Sequence, residues 1–196
     1  MAAVPQTLIR PARPDDVPEL LAMIRELADY ERSLPEVLAT EEHLLRTLFA
    51  ETPAVFAHVA EQPAGEPGTE GRLAGMAIWY LSYSTWLGNH GLYLEDLFVR
   101  PEHRGTGTGR ALLEALAGIC VERGYPRLEW WVLDWNTPAH GFYRSIGARS
   151  MDEWTVWRLD GDALDRLGEG GPPSRAPKDA TTLYGADRSA DMGGRG

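Results

Sequence analysis

The chain has 196 residues, of which 43% are hydrophobic and 9% aromatic, a composition typical of a folded globular protein rather than a disordered one. Its formal net charge of −10 argues against nucleic acid as a partner, because phosphate backbones are bound by clustered Lys and Arg. The acidity favours a cationic ligand or serves solubility alone.

Cys120 is the one cysteine, which excludes an intrachain disulfide and a cysteine-based zinc site and fits a reducing cytoplasm. No basic segment leads into an apolar run with a cleavage site, and no stretch approaches 18 apolar residues. Neither secretion nor membrane insertion is expected. The five His are scattered without ligand spacing, so we also expect no metal site.

The first half of the chain predicts two helices followed by three strands. Apolar residues recur at helical spacing over residues 16–30, where Asp16 and Glu19 are arranged like a capping box. Thr40 is a candidate N-cap for a second, short helix. Three apolar runs then predict consecutive antiparallel strands, at residues 54–60, 73–81 and 92–99, with loops at 62–71 and 82–91.

The second half predicts helices that alternate with strands. A helix follows the glycine-rich stretch and ends at Gly124, and a fifth strand covers residues 127–133. Thr137-Pro138 then opens a short helix that ends at Gly147. Residues 155–159 are predicted to form a last strand. The resulting order, βααβββαβαβ, predicts an α/β (α+β) fold with a mixed, mostly antiparallel sheet flanked by helices.

The final residues differ in composition from the rest of the chain. Residues 168–196 contain seven Gly and three Pro and have no apolar periodicity, which predicts a disordered tail. Residues 1–167 are therefore expected to form the folded domain.

A glycine-rich turn is the most informative motif. Gly105, Gly107 and Gly109 alternate just before a predicted helix, so backbone N–H groups can approach a ligand without interference from Cβ atoms. The helix N-terminus adds unpaired donors and the positive end of its dipole, while Arg104 and Arg110 add charge. The turn predicts a ligand that carries a pyrophosphate.

Two familiar nucleotide motifs do not fit this turn. A Walker loop requires a lysine, and residues 1–167 contain none. A dinucleotide-binding fingerprint requires G-x-G-x-x-G, whereas the spacing here is G-x-G-x-G. A glycine-rich turn without a ligand is the remaining alternative.

These motifs carry a resemblance to a known family. The segments LYLEDLFV, RPEHRGTGTGRALLEAL and DWNTPAHGFYRSIGA resemble the GNAT acetyltransferase superfamily. The chain is most similar to its diamine (spermidine/spermine) and thialysine acetyltransferase branch, through MIRELADYE, YLEDLFV, RGTGTG, DWNTPAHGFY and the later WRL. The resemblance spans residues 8–167 and implies acetyl-CoA as co-substrate and a homodimer joined through the C-terminal strand.

The resemblance also implies roles for individual residues. Tyr143 corresponds to the tyrosine that protonates the departing thiolate, and Glu95 to the acid that helps to remove protons from the amine. The positions expected to hold acetyl-CoA are Leu97, Phe98, Val99, Arg104, Gly105, Thr106, Gly107, Thr108, Gly109, Arg110, Asn136, Thr137, Pro138 and Ala139. The positions expected to contact the acceptor are Tyr30, Glu31, Glu95, Glu129, Trp130 and Trp131.

The sequence departs from that branch where polyamines are recognised. The loop before the catalytic strand reads Tyr83-Ser84-Thr85-Trp86 in place of an acidic position, with one residue inserted before Glu95. Near the last strand Thr155 replaces an acid, although Glu153 lies close in sequence. The loss of two carboxylates would weaken the recognition of a long polycation.

The residues also indicate how the amine is activated. An alkyl ammonium has a pKa of about 10.4 and must lose a proton before it can attack a thioester. Glu95 lies among Leu94, Leu97 and Phe98, so we expect burial to make it a stronger base, acting directly or through water. A salt bridge within the sheet is the alternative role. Asp96 should face the opposite side of the strand and be structural.

Charge that develops on the acetyl oxygen needs a donor, and we expect a main-chain N–H freed at a bulge near Phe98 or Val99. The Tyr143 phenol can protonate the sulfur, and the alternative is that Phe142 and Tyr143 are core aromatics. The Trp-rich segment 130–157 fits either an amine-receptive pocket or a subunit interface.

The function expected from these features is N-acetylation of a small cationic metabolite: a diamine, a polyamine or a thialysine-like amino acid. Acids at Glu31, Glu36, Glu95 and Glu129 favour such an acceptor. The alternatives are protein or peptide N-acetylation, which needs an open groove, and a non-catalytic acetyl-CoA-binding sensor module, which needs neither Glu95 nor Tyr143.

Overall fold

The structure is a computed structural model that describes residues 7–63 and 72–171. The chain divides into two compact units, one that ends at Trp131 and one that begins at Val132, and each is considered separately. Among the described residues, no helix combines the length and the apolar character needed to cross a membrane. Of the predicted tail, residues 172–196 lie outside the described residues.

The first unit is built on one sheet. Its elements in chain order are β1 (Leu8–Pro11), α1 (Val17–Tyr30), α2 (Glu41–Leu48), β2 (Val55–Glu61), β3 (Leu73–Ser84), β4 (Asn89–Val99), α3 (Thr108–Arg123) and β5 (Leu128–Glu129). The strands lie side by side in sequence order, antiparallel except for the β4–β5 pair, which is parallel. The predicted mixed, mostly antiparallel sheet with flanking helices is confirmed.

The hairpin between β3 and β4 is longer than the sequence predicted. Residues 82–91 were expected to be a loop, but β3 continues to Ser84 and β4 begins at Asn89. The polar residues in this stretch are accommodated because the Tyr83 and His90 rings pack edge to face, with centroids 5.4 Å apart. Only residues 85–88 form the turn.

Helices cover both faces of this sheet. Alternate residues of a strand face opposite sides, and Met76 and Ile78 of β3 pack in one core cluster with Leu20 and Met23 of α1. Helix α3 packs against β3 and β4 as well, and its fully buried Leu112 and Leu116 stand outside that cluster. The sheet is thus a middle layer.

Arg100, just after β4, fastens α1 to this sheet. Its guanidinium is buried and donates to Glu19 (2.8 Å), to the Leu73 carbonyl (2.9 Å) and to Glu26 (3.2 Å). The planar fork of Arg satisfies three partners at once, which a buried charge requires. The contacts bring helix, β3 and β4 together at one point.

The ends of the helices show one error in the prediction. Asp16 is the N-cap residue of α1, but its side chain does not cap the helix. Arg10 instead binds that carboxylate in a bidentate pair at 2.6 and 2.9 Å, and the same carboxylate accepts from the Arg13 N–H at 2.6 Å. Thr40 caps α2 as predicted, its Oγ1 accepting from the His43 N–H at 3.2 Å.

The C-terminus of α1 ends in an unusual residue. Arg32 has a φ of 61°, the left-handed conformation that closes many helices and is normally taken by Gly. The Ser33 N–H reaches back to the Ala28 carbonyl at 2.8 Å, as expected for such an ending.

The second unit contains α4 (Thr137–Ser145) and α5 (Gly161–Gly168). The predicted helix that opens at Thr137-Pro138 is confirmed, with the Asn136 Oδ1 accepting from the Ala139 N–H at 3.4 Å. Helix α5 was not predicted, because its only large apolar residues, Leu164 and Leu167, are too few to establish a helical period in the sequence.

The predicted last strand at 155–159 is wrong, and the order βααβββαβαβ loses its final strand. This segment has no strand partner in the described part of the chain, and Trp154 and Trp157 are 70% and 89% exposed. An apolar strand forms only where a neighbour pairs with its backbone. The fifth strand is likewise shorter than predicted, with two residues instead of 127–133.

Gly75 provides a test of the β3–β4 contact. A Cβ at this position would lie 2.6 Å from the Phe98 carbonyl oxygen. We expect Gly75→Ala to lower the free energy of unfolding by about 1–3 kcal/mol, since backbone cannot move aside cheaply. Gly118→Ala is the matched control, because Gly118 lies within a helix and has open space around its Cβ position. This substitution should raise the free energy of unfolding by about 0.5–1 kcal/mol. Equal stability of the two variants in urea denaturation would contradict this packing.

Candidate active site

A β-bulge at Glu95 organises the candidate site. In the β3–β4 ladder Trp79 pairs with Leu94 and Ile78 pairs with Asp96, so Glu95 is an extra residue. Our prediction of a bulge near Phe98 or Val99 is wrong in position, because both residues are in regular register with β3. The extra residue shifts the alternation of side chains along β4 by one position, so Leu94 and Asp96 face opposite sides of the sheet.

Glu95 itself is exposed, so the expectation that it is buried is wrong. Asp96 is the partly buried carboxylate, and its pairing with Ile78 places it on the α1 side of the sheet. Burial, followed by the charges of Glu95 and Glu31, raises the pKa of Asp96 to about 6. The Asp96 carboxylate has no side-chain hydrogen bond or ion pair with any described residue, and its expected structural role stays a prediction.

The end of α1 approaches the same part of β4. Burial raises the pKa of Glu31, which acts electrostatically on Asp96. The Arg104 guanidinium carbon lies 5.2 Å from the ring centroid of Tyr30 and 5.7 Å from that of Phe98. Cation–π contacts therefore join the first residue of the glycine turn to α1 and β4.

The Arg104 contacts differ from the predicted role as a free phosphate-binding charge. Its Nε donates to the Val99 carbonyl at 2.9 Å. Arg110 is paired with Glu114 at 2.8 Å, on the exposed face of α3. The turn thus relies on its backbone donors more than on these two guanidinium groups.

A row of aromatic residues adjoins the acids. The rings of Tyr80 and Tyr93 stack with centroids 5.0 Å apart, and Trp131 meets Tyr93 edge to face at 5.7 Å. Burial, and then the neighbouring Tyr80, Glu95 and Glu129, raise the pKa of Tyr93, so its phenol stays neutral.

Glu129 is less available than the sequence suggested. Its carboxylate lies 2.9 Å from the Arg127 Nε, and both side chains are partly exposed. Trp130, the next residue, belongs to the same unit and is partly buried. Of the predicted acceptor positions, the structure brings Tyr30, Glu31 and Glu95 to the neighbourhood of Asp96 and Phe98.

The glycine turn has the backbone that an anion site needs. Gly105 and Gly107 have φ values of 75° and 91°, and no atom lies within 4 Å of where their Cβ atoms would stand. Gly107 is the N-cap of α3, whose first turn contains no acidic residue, whereas Gly109 already belongs to the helix. The Thr106 hydroxyl donates to the His103 carbonyl at 2.7 Å and lies 2.9 Å from that of Thr108. The turn therefore has open space beside its two left-handed glycines and is fixed by the hydrogen bonds of the Thr106 hydroxyl.

The edge of β4 beside this turn is open too. Strand β5 pairs with β4 only at Leu92 and Tyr93, and no other described strand covers the outer edge over residues 94–99. Such an edge offers unpaired backbone groups to an extended ligand. The edge runs from the bulge to the turn, so the first unit fits an extended arm that ends in a diphosphate, as in coenzyme A.

The second unit carries the other predicted site residues. Tyr143 lies on α4, partly buried, with its ring centroid 5.3 Å from that of Phe142. Its carbonyl accepts from the Ile146 and Ala148 N–H groups, which fixes the end of the helix. Asn136, Thr137, Pro138 and Ala139 form the capped beginning of the same helix.

Sequence reasoning missed Asp96, although a signal was present. Two adjacent acids stand within the apolar strand LYLEDLFV. Strict alternation would bury one of them in a helix-covered face, and a bulge relieves that conflict by exposing one acid fully. Adjacent charges inside a central strand therefore indicate a bulge at the pair itself.

Known proteins share these features. Residues 21–148 match a family model described as the acetyltransferase (GNAT) family. A thialysine N-epsilon-acetyltransferase of Sus scrofa is 40% identical, covering 82% of this chain and 96% of that protein. An L-ornithine N5-acetyltransferase of Arabidopsis thaliana is 32% identical, covering 81% and 86%. An integron cassette protein from the mobile metagenome of V. cholerae superposes with a TM-score of 0.68 at 26% identity, covering 84% and 98%.

Gly107 tests the turn. We expect Gly107→Ala to weaken coenzyme A binding at least about tenfold in titration calorimetry, because a φ of 91° strains a residue with a side chain and tilts the backbone donors. Gly88→Ala is the matched control, since Gly88 also has a positive φ (60°) and open space but lies in the β3–β4 turn. The control should lose stability and keep its affinity. Equal affinities in both variants would remove the turn from the binding site.

Proposed function

The chain belongs to the acetyltransferase (GNAT) family, and from that membership we propose that it transfers acetyl from acetyl-CoA to the primary amine of a small cationic metabolite. The observation that carries the proposal is the continuity of the site. An open β4 edge leads from a glycine turn at one end to the carboxylates of Glu31, Glu95 and Asp96 at the other. Donor and acceptor sites thus adjoin on a single strand.

Acetyl-CoA, when bound, supplies the acetyl group as a thioester. In the first unit we assign its diphosphate to the backbone of residues 104–110 and its extended arm to Leu97, Phe98 and Val99. The open edge and the two left-handed glycines support this assignment. In the second unit we assign further coenzyme contacts to the beginning of α4, from Asn136 to Ala139.

The acceptor is proposed to bind among Tyr30, Glu31, Glu95, Trp130 and Trp131. Partly buried carboxylates without a basic partner attract an ammonium group, and aromatic faces add cation–π attraction. Relatives that are named for thialysine and ornithine acetylation act on amines of this kind.

The remaining predicted contact, Glu129, favours a short acceptor. Arg127 holds this carboxylate at 2.9 Å, so it offers little net charge to a second ammonium group. The sequence also lacks the two acids noted above, in the loop before the catalytic strand and at Thr155. The site therefore carries less negative charge than the recognition of a long polycation requires. A diamine or a thialysine-like amino acid fits this shorter row of charge.

For the chemical step we propose that Glu95 assists in removing the amine proton, directly or through water. Its exposed position at the bulge supports exchange with solvent. Tyr143 is proposed to return a proton to the sulfur atom as it leaves. Both groups act as proton carriers at neutral pH, which is the usual contribution of side chains to acyl transfer.

The exposed Trp-rich segment supports two further proposals. Trp154, Val156 and Trp157 are all more than half exposed, and an exposed apolar segment of this kind marks a surface that a partner chain covers. We propose a homodimer in which a second copy covers residues 154–159. A cytoplasmic location is proposed from the lone cysteine.

An acetyl-CoA consumption assay with diamines, polyamines, lysine analogues and aminoglycosides tests the function. We expect turnover with short diamines or thialysine-like amino acids. Tight coenzyme binding without turnover on this panel would favour the sensor module, and turnover on peptides alone would favour protein acetylation.

Tyr143→Phe tests the general acid. Turnover should fall about 100-fold, the scale of general acid catalysis, with little change in coenzyme affinity. Phe142→Leu is the control, because it alters the aromatic contact next to Tyr143 without removing a hydroxyl. Wild-type turnover in Tyr143→Phe would show that the phenol has no such role.

Trp157→Asp tests the dimer. An unpaired charge in a covered apolar surface costs several kcal/mol, so the variant should sediment as a monomer where the wild type sediments as a dimer. Leu38→Asp, at another highly exposed apolar position, is the control and should not change the mass. A monomeric wild-type protein would contradict the proposal.

A further inference from the structure

Asp96 is the most unusual ionisable group in the first unit. It follows the bulge on β4, on the α1 side of the sheet, and is partly buried. Two carboxylates, Glu95 and Glu31, act on it electrostatically, and no Arg, Lys or His in the described residues forms an ion pair with it. A carboxylate in this position is retained at a cost in folding free energy.

The neighbouring acid, Glu95, differs from Asp96 in its burial and in its register. The bulge turns Glu95 into solvent, whereas Asp96 stands in regular register opposite Ile78. Asp96 is also on the stretch of β4 whose outer edge is open to the extended ligand. The open stretch of β4 therefore carries two adjacent carboxylates, one partly buried and one exposed.

We propose that Asp96 is the immediate proton acceptor for the ammonium group of the amine substrate, a role that rests on the acetyl transfer proposed above. One N–H bond of the ammonium breaks, an O–H bond forms on a carboxylate oxygen of Asp96, and the electron pair stays on nitrogen. The proton then passes to water beside the exposed Glu95, which regenerates the carboxylate. No other reactant is required.

The electrostatics of the pair support this division of work. Burial, and then Glu95 and Glu31, raise the pKa of Asp96 to about 6, close to the neutral pH at which a general base works best. The arriving ammonium offsets the repulsion from those two acids, and transfer of its proton to Asp96 leaves both partners neutral. Tyr80 and Tyr93 line the same side as neutral phenols, because burial and Glu95 raise the pKa of each.

Three proteins separate the roles: the wild type, Asp96→Asn and Glu95→Gln. In the wild type we expect kcat/KM to fall below about pH 6 as Asp96 becomes protonated. Asp96→Asn should lose about 100-fold in kcat/KM at pH 7 and lose the inflection near pH 6. Glu95→Gln should lose less and shift the inflection to lower pH, because one repulsive charge is gone.

A second acceptor distinguishes proton transfer from simple attraction of a cation. An acceptor analogue trifluorinated beside its amine is largely neutral at pH 7, so it needs no base to remove the first proton. With this analogue, the loss caused by Asp96→Asn should shrink to less than about tenfold. A loss as large as with the ordinary amine would mean that Asp96 only binds the acceptor, which would overturn the proposal.

A readout without catalysis comes from stability. Between pH 3.8 and about 6 the folded protein holds a proton on Asp96 that the unfolded chain has already released, so this group lowers stability as pH rises through that window. Asp96→Asn should therefore unfold at higher urea concentration than the wild type at pH 7, and at the same concentration at pH 4. Carboxyl-carbon NMR of the wild type should show one Asp titrating near pH 6, absent from the variant.

The outcomes are distinguishable. An active wild type together with an Asp96→Asn variant that keeps its kcat/KM and its inflection would overturn the role of Asp96 and leave the acetyltransferase intact. A folded wild type that acetylates no amine of the panel would overturn the proposed function and this role with it. Coenzyme A affinity, measured by calorimetry, should be unchanged in all three proteins.

Discussion

The antiparallel pairing of β3 with β4 is the constraint on which the rest of the first unit depends. It runs from Ser84 opposite Asn89 to Gly75 opposite Val99, with one residue too many on β4. That surplus residue decides which side chains enter the helix-covered faces and which acid meets solvent. The end of the same pairing places the chain at the glycine turn, where the backbone continues into α3.

The acidic residues of α1 and of its C-terminal end fall into two groups, those that form ion pairs and one that does not. The acids in its first three turns, Glu19 and Glu26, are neutralised by the buried Arg100. The acid after its last turn, Glu31, has no ion pair in the described residues, and burial raises its pKa. One helix therefore holds the sheet with its compensated acids and presents negative potential with the uncompensated one. The net charge of −10 is informative only through this distribution.

Most of the fold follows from the sequence, because local periodicity and turn residues determine it. The order of elements as far as α4, the N-cap at Thr40 and the helix end at Gly124 were all predictable from residue spacing. The final strand was not, since an apolar run at 155–159 specifies a strand only if something pairs with it. Helix α5 was not predicted either, because two large apolar residues, Leu164 and Leu167, do not establish a helical period.

The candidate site was predictable in its backbone and less so in its side chains. Alternating glycines imply an anion-binding turn wherever they precede a helix. The side chains of Arg104, Arg110 and Glu129 were expected to meet ligands, yet each has a partner within the protein. The partner of Arg104 is the distant Tyr30, whereas Arg110 and Glu129 pair with residues four and two positions away. Asp96 was expected to be structural, because the sequence does not reveal that Glu31, which is distant along the chain, lies near it.

The left-handed Arg32 fixes the point at which α1 ends. A side chain in that conformation costs on the order of 1 kcal/mol relative to Gly. Arg32 directly follows Glu31, so the backbone leaves the helix immediately after the acid that acts electrostatically on Asp96. The path of the chain at this single residue therefore determines where the uncompensated negative charge of α1 stands relative to β4.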